Sequence, residues 1–138
     1  MSDYLRIEIG RAKTADNEII AELGRKEITA QEIQERSVIK LDKKSKEPAD
    51  IFANGKLITK GELKIIEENI SVKIIDALDD KENIIILDKQ AHEPVDIFKN
   101  EKLIAKGFIV IMNGNGHKPF DFQNGGEDNF GVLITEII

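Results

Sequence analysis

The sequence predicts a mainly β fold, in which two related units form one body with approximate two-fold symmetry. Of the 21 positions in residues 41–61, 14 recur identically 46 positions later, in residues 87–107. Ile, Leu and Val occur in short runs, a composition typical of strands. A tetrapeptide, Glu-Ile-Gly-Arg at 8–11, recurs as Glu-Leu-Gly-Arg at 22–25. A unit of about 50 residues buries too little surface to be stable by itself, which favours one joint, saddle-like or barrel-like body.

We divide the chain into two units at residue 78. Residues 1–78 form the first unit, with two candidate opening strands and one short helix. Residues 79–138 form the second unit, which carries a fourteen-residue insertion at about 113–127, rich in Gly and Asn. Such a composition is typical of a surface loop.

Turn residues separate the predicted strands. Asn54-Gly55 lies between two apolar runs and predicts a hairpin, because both turn positions need positive φ. The second copy has Asn100-Glu101, and Glu adopts positive φ at a cost, so we expect a different turn type or local strain there. Further strands are predicted at 57–66, 70–78, 103–112 and 130–138.

One short helix is predicted after the second opening strand. Thr29 can cap its N-terminus, and Glu32 completes a capping box. Ile28 and Ile33 have the spacing of a hydrophobic staple, and the pattern ends near Ser37.

The two Glu-x-Gly-Arg segments are interpreted as two copies of one first strand. We expect each to pair with a core strand, one in each half of the body. At least one of them must then reach past its sequence neighbour, which is the topology of a strand-swapped dimer fused into one chain.

Composition excludes several classes of function. Hydrophobic residues make up 41% of the 138 residues, enough for a core, so global disorder is not expected. A net charge of −6 argues against nucleic acid as the main partner. The sequence has no cysteine, no signal-peptide pattern and no apolar run of membrane-spanning length, so a cytoplasmic protein without membrane insertion is expected.

Several motifs together resemble the SpoA domain family, which includes the flagellar motor switch protein FliN and relatives in type III secretion systems. These motifs are E-L-G-R, L-D-K, E-P-x-D-I, N-G-K-L-I-x-K-G and the closing F-G-V-L-I-T-E-I-I. The resemblance covers nearly all of 19–78, and 84–138 apart from the insertion. It implies a small β-rich domain that forms intertwined dimers in the flagellar C-ring or in a secretion sorting platform. This chain would be a single-chain equivalent of such a dimer.

No catalytic, metal or cofactor site is predicted. His92 and His117 have no second histidine or cysteine at ligand spacing, so both are interpreted as surface residues. The duplicated aspartates occupy equivalent environments, whereas paired acid–base catalysis needs unlike ones. They are therefore interpreted as turn and strand-edge residues, and the protein as a non-enzyme. These aspartates are Asp42, Asp88, Asp50 and Asp96.

A candidate partner site comes from comparing the two copies. A mostly polar set of the first copy becomes apolar in the second. Glu62, Lys64, Ile66 and Lys73 are replaced by Phe108, Val110, Met112 and Leu133. Strand alternation places 108, 110 and 112 on one face. Either the insertion folds over this face through Phe120 and Phe122, or the face is exposed for a partner.

The predicted function is assembly within a flagellar switch or type III secretion platform. The expected partners are other switch or platform subunits and export-apparatus adaptors, at the flagellar basal body or the secretion apparatus. The alternative is a free-standing regulatory module that recognises a signalling or export protein through residues 113–127 and the apolar face.

Overall fold

The computed structural model describes residues 3–14, 16–28, 33–74, 83–122 and 126–138, with only the backbone of Asp3 and Asn83. All regular secondary structure in these residues is β-strand, and they contain no helix able to cross a membrane. The strands are β1 (Asp3–Lys13), β2 (Glu18–Ile28), β3 (Val38–Lys44), β4 (Ala49–Ala53), β5 (Lys56–Ile66), β6 (Asn69–Ile74), β7 (Asn83–Gln90), β8 (Val95–Lys99), β9 (Lys102–Asn113), β10 (Gly116–Pro119) and β11 (Asn129–Ile137).

These strands form one antiparallel sheet in the order β3-β11-β9-β8-β1-β2-β4-β5-β6-β7, with β10 paired to β9. We name β2, β4, β5, β6 and β7 the first half, and β1, β8, β9, β11 and β3 the second half. The strand that opens each copied segment lies in the opposite half from the rest of its copy. Thus β3 pairs with β11, and β7 pairs with β6. The two units are therefore intertwined, and the mainly β fold is confirmed.

The register of the central pair has two-fold symmetry. Glu8 lies opposite Glu22, and a shift of fourteen residues converts each β1–β2 pair, from Tyr4 opposite Glu27 to Lys13 opposite Glu18, into a pair of the same ladder. The pairing of β1 with β8 also matches that of β2 with β4, because Ile7 opposite Ile97 corresponds to Ala21 opposite Ile51. The prediction that the two opening strands pair with core strands, one in each half, is confirmed.

The core lies under this central pair and is built by alternation. Leu5, Ile7 and Ile9 of β1 are fully buried, and so are Ala21 and Leu23 of β2. Burying such an aliphatic side chain contributes about 1.5–3 kcal/mol. Both opening strands therefore contribute to one shared core.

The two equivalent hairpins use the same turn. Asn54 and Gly55 have φ of 51° and 84°, the type I′ pattern expected for Asn-Gly. Asn100 and Glu101 have φ of 50° and 69°, so the second copy keeps this turn type. The expected strain falls on Glu101, since the left-handed region costs a residue with a Cβ roughly 1–2 kcal/mol.

The predicted helix is absent from the part of its span that the structure describes. Its capping residues Thr29 and Glu32 lie outside the described residues, as does the predicted unit boundary at residue 78. Residues 33–37 form a turn in which the Ser37 N–H donates to Gln34 O at 3.1 Å. Arg36 has φ of 70°, and its N–H donates to Ile134 O at 2.7 Å. This hydrogen bond attaches residues 33–37 to the edge of β11, so the Arg36 N–H is not available for a helical hydrogen bond.

Equivalent glycines of the two halves should differ in their tolerance of substitution. A Cβ on Gly107 would overlap Leu133 O and lie 2.8 Å from Val132 Cγ1, whereas one on Gly61 would meet Val72 Cβ at 3.1 Å. We expect Gly107→Ala to lower the free energy of unfolding by about 1–3 kcal/mol, the usual cost of overpacking, and Gly61→Ala to lower it less. Urea denaturation of both variants measures this difference, and equal losses would contradict it.

Candidate partner-binding site

Strand register places the predicted site residues on the outer face of the second half. Ile109 and Ile111 point into the core, so Phe108, Val110 and Met112 lie on the opposite face of β9. Leu133 lies directly opposite Phe108 on the neighbouring β11. The four residues are thus brought together on one face.

Their exposure differs along this face. Phe108 is 39% exposed, and Leu133 and Met112 are partly exposed. Val110 is only 3% exposed, because it lies between Pro119 of β10 and Gly131 of β11. A partner on the surface can therefore contact Phe108 directly but not Val110.

The accessible apolar surface extends in a direction that the sequence did not indicate. Val38 of β3 lies opposite Leu133 and is also partly exposed. Phe108, Leu133 and Val38 therefore form one row across β9, β11 and β3, which we call the apolar row. Sequence reasoning missed Val38, because the position of β3 beside β11 depends on strand exchange between the halves. The repeat aligns Val38 with Ile84 of the second copy, which is only a weak sequence signal for the role of this position.

The insertion borders this face and packs against the core. Residues 116–119 form β10 beside β9. The ring of Phe120 contacts the rings of Phe122 and Phe130 edge-on, with centroids 4.8 and 4.9 Å apart. Phe130 is a core residue. A cleft of about 400 Å³ runs between Val95 and Pro119, with Phe108 and Phe120 in its walls.

The equivalent face of the first half has charged residues at the positions of Phe108 and Leu133. Glu62 takes the place of Phe108, forms an ion pair with Lys64 at 3.1 Å, and lies opposite Lys73. Ile84, in the place of Val38, is 43% exposed but has these charged neighbours. The two halves share a backbone arrangement and differ in the chemistry of this face.

The end of the insertion is held by the turn that follows β3. Gly126 N donates to Ser45 Oγ at 2.8 Å, and Glu127 pairs with Lys44 at 3.0 Å and with Lys46. Hydrogen bonds from Lys46 and Lys44 lower the pKa of the exposed Glu127 carboxyl. The corresponding residues of the second copy are Gln90, Ala91 and His92. The copies have thus diverged at the positions that contact the insertion.

A buried charge network connects the two halves. Glu8 and Glu22 are each 2% exposed, and Arg6 Nη1 lies 2.7 Å from Glu8 Oε1 and 3.6 Å from Glu22 Oε2. Arg11 binds Glu8 at 2.7 Å, and Arg25 binds Glu22 at 2.9 Å. These hydrogen bonds raise the pKa of both Arg11 and Arg25. Sequence reasoning missed this network, although the repeated Glu-x-Gly-Arg spacing was its signal.

Arginine side chains of this network also cover two equivalent aromatic rings. The Arg6 guanidinium lies 4.6 Å from the centroid of the Phe98 ring, and that of Arg25 lies 4.9 Å from the centroid of Phe52. Arg11 also lies near Phe98, at 5.6 Å. Such contacts each contribute on the order of 0.5–2 kcal/mol. The network and both rings stabilise the sheet where the halves meet.

Two of the four duplicated aspartates, Asp50 and Asp96, form equivalent ion pairs. Asp50 lies 3.4 Å from Lys43, and Asp96 lies 3.6 Å from Lys89. Burial lowers the pKa of Lys43, with Asp50 opposing the shift. Asp88 accepts the Arg11 N–H at 2.8 Å. In the described ranges, no group of three or more His, Cys, Asp or Glu side chains has the geometry of a metal site.

Histidines occupy the surface, as predicted. Both His92 and His117 are exposed. His117 borders the cleft beside the apolar row.

Removing Arg6 should expose the repulsion between the two buried carboxylates. The position equivalent to Arg6 in β2 is Ile20, so Arg6→Ile makes the two strands alike. We expect the free energy of unfolding to fall by about 1–3 kcal/mol, less than for a fully orphaned charge, since Arg11 and Arg25 remain. Denaturant unfolding measures the loss, and Arg6→Lys, which keeps the charge, should lose less. An equal loss in Arg6→Ile and Arg6→Lys would contradict this electrostatic role of the Arg6 side chain.

Comparison with known proteins identifies relatives of the chain. Residues 11–79 match the family model described as type III flagellar switch regulator (C-ring), FliN C-terminal. The flagellar motor switch phosphatase FliY of Bacillus subtilis is 44% identical over 78 residues, which cover 56% of this chain and 18% of FliY. The flagellar motor switch protein FliN of Borreliella burgdorferi is 40% identical over 67 residues, covering 46% of this chain and 59% of FliN.

A second FliN shows the same partial overlap. The flagellar motor switch protein FliN of Pectobacterium carotovorum is 36% identical over 67 residues, covering 46% of this chain and 63% of that protein. The chain thus spans less than two thirds of the length of each of these three relatives.

Proposed function

The chain belongs to the family of FliN C-terminal domains of the flagellar switch, and from this membership we propose that it is an assembly subunit of the switch C-ring. Its work would be to bind other proteins, without catalysis. The phosphatase in the name of FliY describes that longer protein, of which this chain matches 18%. Asp50 and Asp96 support a non-catalytic role, because they lie in equivalent ion pairs.

The observation that carries the proposal is the apolar row on one half only. Phe108, Leu133 and Val38 stand where the first half has Glu62, Lys73 and Ile84. Identical duplication would have produced two like faces, so the difference indicates that the second face has a separate task. Partly exposed aromatic and aliphatic side chains in one patch are typical of protein-binding surfaces.

The partners proposed for this surface are other switch or secretion-platform subunits and export-apparatus adaptors. The place of action would be the cytoplasmic side of the flagellar basal body or secretion apparatus. The partner-binding residues would be Phe108, Leu133 and Met112 with Val38, and Val110 would support them from below. Phe120 and Pro119 of the insertion border the cleft, so the insertion would affect which partner fits.

We further propose that the chain is a single-chain equivalent of an intertwined dimer. The symmetric register of β1 and β2 supports this, as does the exchange of β3 and β7 between the halves. In such an arrangement the usual dimerisation strands are already paired within one chain. They would then be unavailable to a second copy.

The apolar row can be tested by restoring the residues of the first copy. Phe108→Glu combined with Leu133→Lys introduces the side chains of Glu62 and Lys73. We expect association with the cognate switch subunit to weaken at least about tenfold, equivalent to 1.4 kcal/mol. Calorimetric titration measures binding, and thermal unfolding checks that the fold is retained. The matched control, Ile84→Lys, changes an exposed apolar residue of the first half and should leave binding unchanged.

Val110→Lys tests the burial of Val110 through the stability of the fold. Because Val110 is 3% exposed, this variant should lower the free energy of unfolding by about 1–3 kcal/mol.

Unchanged binding by the folded double variant, Phe108→Glu with Leu133→Lys, would remove the apolar row from the proposed function. Equal weakening by Ile84→Lys would show that the surface effect is general.

The solution state tests the single-chain arrangement. We expect a monomer, or association only through a surface other than the intertwined one, because the opening strands are paired within the chain. Multi-angle light scattering over a range of concentrations measures the mass. A tight dimer that exchanges β1 or β2 between chains would contradict it. Such a dimer is detectable as a disulfide between chains when cysteines are introduced at paired positions of β1 and β2.

A further inference from the structure

The described residues contain the dipeptide Asn-Gly three times, in three different settings. The pairs are Asn54-Gly55, Asn113-Gly114 and Asn115-Gly116, while a fourth, at 124–125, lies outside the described residues. We propose that Asn113 is a site of spontaneous deamidation, and that the fold selects it over Asn54 and Asn115. Water is the only co-reactant that this chemistry needs.

The reaction is a ring closure followed by hydrolysis. The backbone nitrogen of Gly114 attacks Cγ of Asn113, so that an N–Cγ bond forms while the Cγ–Nδ2 bond breaks. The amide nitrogen leaves as ammonia, taking up the proton lost from the Gly114 nitrogen. Water then opens the five-membered imide at either carbonyl carbon and produces aspartate or isoaspartate. Glycine favours the attack, since it has no side chain to block the approach and its backbone is the most adaptable.

Asn54 is held away from this chemistry by its own hydrogen bonds. Its Nδ2 donates to Asn17 Oδ1 at 2.8 Å, and its Oδ1 accepts the Glu18 N–H at 3.1 Å. These contacts tie the side chain to the β1–β2 turn. Cγ of Asn54 must break both hydrogen bonds before it can turn towards the Gly55 nitrogen.

Asn115 is disfavoured by the position of the glycine that follows it. Gly116 lies opposite Asn113 in the β9–β10 ladder. In a two-residue hairpin this is the residue whose N–H bonds back to the carbonyl that opens the turn. The Gly116 nitrogen is therefore engaged within the ladder.

Asn113 and Gly114 are protected neither by side-chain hydrogen bonds nor by pairing of the glycine nitrogen in the ladder. Asn113 is exposed, and its side chain forms no hydrogen bond within the part of the chain that the structure describes. Gly114 is the first turn residue, with φ of 60°, and no atom lies within 4 Å of the place where its Cβ would stand. The nitrogen that must attack thus lies outside the ladder, in an open turn.

The product would change the edge of the apolar face. A carboxylate at 113 adds one negative charge beside Met112, and isoaspartate also lengthens the main chain where β9 pairs with β10. Any effect of this change on partner binding rests on the proposed function. The selectivity of deamidation for Asn113 is independent of that function.

Incubation of the full chain at mildly alkaline pH and physiological temperature tests the selectivity. Peptide mapping with fragmentation mass spectrometry and isoaspartate detection follows all three sites in one digest. We expect the product at Asn113 to accumulate several-fold faster than at Asn54 or Asn115. Asn113→Gln should abolish the fast product, because glutamine closes a six-membered ring slowly, and Asn54→Gln should leave it unchanged.

The same chain unfolded in urea is the matched control. There the three sites should react at similar rates, since the hydrogen bonds and the ladder are lost. The proposal is overturned if the folded chain reacts fastest at Asn54 or Asn115, if its three sites react equally, or if Asn113 stays intact while the unfolded chain is modified.

Discussion

The pairing of β1 with β2 around the buried Glu8 and Glu22 is the constraint on which the rest of the sheet depends. Each of these strands carries one half of the sheet, β1 through β8 and β2 through β4. Two carboxylates directly opposite each other repel, and burial strengthens the repulsion. Arg6 lies between them and removes this obstacle. A slip of one residue would turn the charges into the core, so the network also defines the register.

Duplication supplies the symmetry, and the second copy then departs from it in one region. Phe108 and Leu133 replace charged residues, the insertion borders the resulting face, and Ser45 with its flanking lysines holds the end of the insertion. All of these changes lie in the second half of the sheet or at its edge. The first half keeps Glu62 and Lys73 at the equivalent positions, beside the exposed Ile84 and Ile86 of β7. The two halves therefore share one backbone arrangement, and the second half alone carries the apolar row.

Local patterns anticipated most of the fold. Asn54-Gly55 marked its turn correctly, because positive φ at two successive residues is a property of the dipeptide itself. The predicted helix end at 33–37 was wrong because Arg36 bonds to β11, a partner distant in sequence. Val110 was placed on the correct face, but its burial depends on Pro119 and the path of the insertion. Errors arose wherever a distant segment competed with the local preference.

The sequence by itself determined most of the strands, the two-fold relation between the copies and the chemical difference between their faces. Each of these follows from residue type and short-range spacing. The sequence did not indicate β10, which lies within the segment predicted as a surface loop. Only the tertiary structure decided that β3 lies beside β11, that Val38 joins the apolar row and that Arg6 bridges two carboxylates. These contacts join residues whose separation along the chain has no periodic signature. They depend on which strand edges meet when one shared core is buried, and that is a property of the whole chain.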